Sequence, residues 1–465
     1  MEIKNKYETK LQAIALSSDS FTTGYFVMCL LMFVPFIATS QASIITWFLP
    51  LCCLIPLAVM PLFYLLVHRV DMLLFGRYHL VMPISAFVSA ISFVMMFTNQ
   101  NSIALVFIGA LVFAVSITLY RYCAFSVRAR LGGFGITSHS LWSGVFSVLG
   151  AVGALASYAG FMYADPETMY INCAYVISLT CVVLAMVQYL VTHYGIPKLV
   201  GRRALTVKSV YRTFYTGLDI RLFVSSFLFQ AAFACIAALL LFFTAVRGIW
   251  IYTTVFVALA VVCGYGAMQS VSAKYVTKCN NVLLGVLTGG FAVSSALLII
   301  ASVVPMNIAG FTAIVIVTSV IVGACGALCV RLTKLRVVAI KPHITSGVVY
   351  ILTELVTLLA FAVALLAAAI VVTIWFDLTS FICGFAVAAV LATIALAISV
   401  KKISSGDDEQ PAELELGEEQ LDAPPQADGE AEETEQDREA EEFTEGEPNE
   451  AYEQADGDEG SETEE

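Results

Sequence analysis

Charge is scarce along most of this 465-residue chain. Only nine acidic side chains precede position 405: Glu2, Glu8, Asp19, Asp71, Asp165, Glu167, Asp219, Glu354 and Asp377. A soluble domain needs a charged surface, and a chain that is 59% apolar and 13% charged cannot build one over this length. Sites for soluble chemistry are missing as well. No glycine-rich phosphate loop carries its lysine, no metal ligands are paired, and no nucleophile sits in register with a base. The runs "LGGFGITS" and "VLTGGFAVSS" lack the strand-to-helix context of a nucleotide fingerprint. They read as a flexible loop and as helix packing, with Gly285 and Gly289 at contact spacing. The twelve cysteines lie in or beside apolar runs, and Cys325 and Cys329 have no histidine near them in sequence. They form no disulfide framework and suggest no metal. No basic groove interleaved with aromatics points to nucleic acid. Neither an enzyme nor a bound cofactor is expected.

What the chain does have is long apolar runs. A helix needs roughly 20 apolar residues to cross the hydrocarbon layer. Twelve such runs are present, near 21–40, 43–67, 80–98, 102–123, 140–163, 169–192, 221–245, 249–271, 281–304, 307–330, 346–375 and 378–400. The opening "MEIKNKYETK" has mixed charge, and the run after it is long enough to stay in the membrane, so no cleavable signal peptide is expected.

Basic residues set the expected orientation. With a cytoplasmic N-terminus, the loops after runs 2, 4, 6, 8 and 10 and both flanks of the membrane part collect 22 of the 24 basic residues. The exceptions are Arg247 and Arg438. The expected organisation is a cytoplasmic N-terminus (1–20), a six-helix half (21–192), a basic central loop (193–220), a second six-helix half (221–403) and a tail (404–465). The tail holds the other 27 acidic residues and one basic one, so it is expected to be disordered, solvated and cytoplasmic. Its charge suits either simple repulsion or docking of a basic protein.

These features together resemble the major facilitator superfamily: twelve helices in two sixes, cytoplasmic ends and a basic central loop. The loop "HRVDMLLFGRYH" carries Asp71, Gly76 and Arg77, similar to that family's gating loop between helices 2 and 3. The resemblance implies an all-α polytopic membrane protein in which helices 1, 4, 7 and 10 surround a cavity opening alternately to each side. It would be lined by Thr23 and Tyr25, by Ser116, Thr118 and Tyr120, by Ser225, Ser226 and Gln230, and by Thr312, Thr318 and Ser319. With no buried arginine evident, such a lining suits an uncharged or amphipathic compound better than an anion.

Glu354 stands apart. It is the only charged side chain between Lys341 and Asp377, and lies eight residues into its run, about 12 Å deep at 1.5 Å per residue. An ionised carboxylate there is costly to solvate and has no evident basic partner. It is either a proton-coupling group or a neutral acid hydrogen-bonded to Thr353, Thr357 or another helix. Asp19 reads as interfacial. Two functions fit: a secondary transporter of a small organic compound, or a membrane sensor built on a transporter-like module.

Overall fold

In the computed structural model, the described residues are most of 12–24 and of 50–67, then 77–99, 102–128, 132–160, 166–195, 220–246, 251–271, 280–340, 346–374 and 378–400. All regular structure among them is helical. The helices are α1 (14–22, interrupted by a turn at Ser18), α2 (Pro50–Val67), α3 (Arg77–Thr98), α4 (Ile103–Arg128), α5 (Gly132–Gly160) and α6 (Pro166–Gly195). The second set is α7 (Ile220–Val246), α8 (Ile251–Gln269), α9 (Asn280–Val303), α10 (Ile308–Ile340), α11 (Ser346–Ile374) and α12 (Leu378–Val400). Two compact units are distinguished, 1–421 and 422–465, and the second lies outside the described residues.

Helix is the only economical way to carry an apolar chain across lipid, because every backbone N–H and C=O is bonded within its own segment. Ten of these helices are long and apolar enough to cross a membrane. Large apolar side chains such as Leu62, Ile84, Leu179, Val286 and Val387 are more than half exposed, which suits a lipid-facing surface. This is a multi-pass membrane protein. We call the end of the bundle holding the C-termini of α2, α4, α6, α8 and α10 the basic end, after its charge.

Two boundaries differ from the sequence reading. The run "LGGFGITS", read as a flexible loop, begins α5 at Gly132. Helix α10 runs ten residues beyond the expected 330, with Arg331, Lys334 and Arg336 on its last turns. Arg331 explains part of this, since its Nη1 donates to the Met268 and Gln269 carbonyls at 2.8 and 3.4 Å and so caps α8. Likewise α4 runs on past 123 to Arg128, so both of its arginines are helical.

Apolar packing forms two clusters. One fills the second half, with Phe233, Phe243, Phe291 and Phe385 among its members. The other is centred on α3, α4 and α6, and takes in Val337 and Val348 to Leu352 from the basic ends of α10 and α11. The first half therefore shares its core with the second at that end.

Lipid is as apolar as a leucine side chain, so close backbone approach does more here than apolar burial. Across the halves, α5 meets α8 at Gly144 and Gly266, where a Cβ on Gly144 would strike the Gly266 carbonyl and the Ser270 hydroxyl. Gly264 and Gly323 do the same for α8 and α10, each facing a backbone carbonyl of the other helix. By contrast, a Cβ on Gly285 or Gly289 meets nothing within 4 Å among the described residues. Gly290 is the packed member, against Cys325. Gly144→Ala is therefore expected to lower the thermal midpoint in detergent, whereas Gly285→Ala should leave it unchanged or raise it by the helix-propensity difference of about 1 kcal/mol.

Candidate functional site

The charged residues inside the bundle are gathered near the basic end. In α4, Arg121, Phe125 and Arg128 fall at i, i+4 and i+7 and form one stripe. In α11, Tyr350 and Glu354 are one turn apart and face that stripe. Arg121 lies seven residues before the end of α4, about 10 Å in, which matches the depth of Glu354 from the other direction. They meet: Arg121 Nη2 is 3.2 Å from Glu354 Oε1, with Glu354 buried and Arg121 about one-third exposed (36%). The carboxylate expected to stand without a basic partner thus has one from the opposite half. Thr353 and Thr357, offered above as its partners, donate instead to the Val349 and Thr353 carbonyls of their own helix.

Aromatic rings close the space one turn nearer the basic end. Tyr350 packs against Phe125 and Tyr122, at ring-centroid separations of 5.2 and 5.9 Å, and Tyr122 against Tyr78 at 6.0 Å. Tyr122 and Tyr350 are almost fully buried. Lys334 of α10 sets its Nζ 5.2 Å from the centre of the Phe125 ring, another contact across the halves.

A second ion pair is internal to the first half. Arg128 Nη1 is 3.0 Å from Asp19 Oδ1, and both side chains are buried. Asp19 is buried in an ion pair, and the bundle does contain a buried arginine, which removes the argument against an anionic compound. The helix turn at Ser18 explains the arrangement. It leaves carbonyls of α1 short of partners, and Arg128 donates to the Leu16 carbonyl at 3.2 Å. Gln188 of α6 donates to the Ala15 carbonyl at 3.2 Å and to the Ser18 hydroxyl at 2.9 Å. Tyr120 completes the network by donating to Gln188 Oε1 at 2.7 Å.

Other sequence-derived candidates are dispersed. The Ser116, Thr118 and Thr318 hydroxyls donate to carbonyls of their own helices, those of Phe113, Ala114 and Ile314. Ser116 also borders an apolar hollow of about 500 Å³ between α2, α3 and α4. Two of its other walls, Ile84 and Val88, are exposed, so it opens sideways toward lipid. Ser226 is buried on α7. Gln230, one turn further along, is fully buried, and neither of its amide atoms has a hydrogen-bond partner. Arg77 begins α3, while Thr23, Tyr25, Asp71 and Gly76 lie outside the described residues.

The sequence reading missed Asp19–Arg128, Gln188 and Lys334. Gln188 carried the same signal as Gln230, an amide within an apolar run. Arg121 and Arg128 carried another, a basic stripe at helical spacing.

No family model and no curated protein sequence matches this chain. Solved structures do. The human organic anion transporter MFSD10 (TETRAN) is 13% identical, with a TM-score of 0.54 over 85% of this chain and 99% of its own. The nucleoside transporter NupG is 13% identical, with a TM-score of 0.59 over 84% of this chain and 99% of its own. The likeness establishes a major facilitator-like fold.

Two outcomes test these assignments. Asp19→Asn leaves a buried guanidinium uncompensated and is expected to cost about 3–5 kcal/mol. Arg128→Gln should cost a similar amount, and the double change clearly less than the sum, read from thermal unfolding of all three variants. Gln230→Leu removes two unsatisfied polar atoms, so the thermal midpoint should hold or rise even where ligand binding weakens.

Proposed function

We propose that this protein is a secondary carrier that moves a small organic compound across the cytoplasmic membrane by alternating access. Its two termini are cytoplasmic, which puts the basic end inside in keeping with the positive-inside bias. The observation that carries the reading is the closure at that end: one ion pair, one cation–π contact and two ring contacts, all made between α4 and the α10–α11 pair.

Each of these contacts is worth a few kcal/mol at most, and none is covalently constrained. The halves also meet at α5 and α8 through Gly144 and Gly266, where the backbones approach closely beside the small side chains of Ser270 and Val148. A bundle held this way can rock, breaking the contacts at one end without unfolding either half. The basic end is closed in this structure, and opening it separates Arg121 from Glu354. The energy source in this reading is an ion gradient. Glu354, the carboxylate that loses its guanidinium when that end opens, holds the coupling role in this reading.

Purified protein in liposomes tests this directly. A pH gradient should drive accumulation of the transported compound. Glu354→Gln should abolish that accumulation while leaving exchange of internal for external compound intact. Binding without flux in either assay would identify a sensor instead.

A further inference from the structure

We infer that the compound handled by this protein carries an acidic group, and that Arg121, assisted by Lys334, is the site that takes it when Glu354 lets go. The inference rests on the carrier reading above and adds the chemical class of its cargo.

The argument is a count of charges and of which half each belongs to. Five charged side chains make up the cluster: Asp19, Arg121 and Arg128 in the first half, Lys334 and Glu354 in the second. Two carboxylates serve three cations, so the cluster keeps one positive charge in excess. Lys334 is the cation left over. Its ammonium faces the Phe125 ring, and among the described residues it makes no ion pair.

Now let the halves part at the basic end. Glu354 stays with α11, in the second half. Asp19 remains held by Arg128 and by the turn in α1. Arg121 departs with α4 and leaves its only ion-pair partner behind. An unpaired guanidinium about 10 Å inside the bundle is costly, and its planar fork is built for a carboxylate. Its side chain is already partly exposed while the pair is made. A carboxylate on the cargo restores the neutrality that Glu354 provided. Cargo and Glu354 thus compete for one guanidinium, so binding the first releases the second.

Competition predicts something that simple gating does not: opposite effects from the two partners of one ion pair. The probes are phenylacetate, phenylacetamide and phenethylammonium, which share a ring and differ in charge. Binding is measured on the full chain in lipid nanodiscs, in chloride-free and chloride buffers. Phenylacetate should bind at least about tenfold tighter than either of the others. Arg121→Gln should remove that preference, Arg121→Lys should keep part of it, and Glu354→Gln should tighten phenylacetate binding by removing the internal competitor. Lys334→Gln breaks no ion pair and so avoids doubt over folding, and it should weaken phenylacetate selectively. Arg336→Gln, whose guanidinium meets Ser399, serves as control and should change nothing.

Absence of a carboxylate preference overturns the inference. So does a shift of the same sign in Arg121→Gln and Glu354→Gln, or binding that chloride alone satisfies with no contribution from the aryl acid. The carrier reading is scored separately, by uptake of the same probes into liposomes. A charge preference without uptake keeps the anion site and removes the carrier, and uptake blind to charge does the reverse.

Discussion

Inside a bilayer a charge cannot be left to water, and the layout of this bundle follows from that constraint. Among the described residues, two buried carboxylates, Asp19 and Glu354, lie among the cations of the basic end, and helix packing determines which of them meet. Asp19–Arg128 ties α1 to α4 within one half and repairs a break in the α1 backbone at the same time. Arg121–Glu354 ties the two halves to each other. The first pair is structural because nothing needs to move between its members. The second spans a boundary that a carrier must open, so the same chemistry acquires a different role.

The aromatic layer explains how the cross-half pair is kept dry on one side. Phe125 follows Arg121 by one turn and Tyr350 precedes Glu354 by one turn. The rings therefore lie beneath the ion pair toward the basic end, while Arg121 keeps about a third of its side chain exposed. Gly144 and Gly266 add a close cross-half backbone approach, bordered only by the small side chains of Ser270 and Val148.

Much of the fold was legible because lipid imposes its own length scale. Apolar runs near 80–98, 102–123 and 281–304 became α3, α4 and α9, with ends moved by a few residues. Larger shifts occurred where charged or glycine-rich stretches continued a helix. Arg331 stays helical because α8 offers it carbonyls, and no count of apolar residues along the chain contains that information. The hydroxyl-bearing candidates illustrate the same limit: Ser116, Thr118 and Thr318 are buried, yet their hydroxyls are spent on their own backbones.

The linear chain by itself determined that this is a membrane bundle, how its spans are spaced, and where its basic residues collect. Those properties depend on local composition measured against a layer of known thickness. Tertiary structure alone decided that Glu354 answers Arg121 and Asp19 answers Arg128, residues separated by more than a hundred positions. An ion pair needs its members within about 4 Å, and only the crossing of particular helices at matching depth brings them that close.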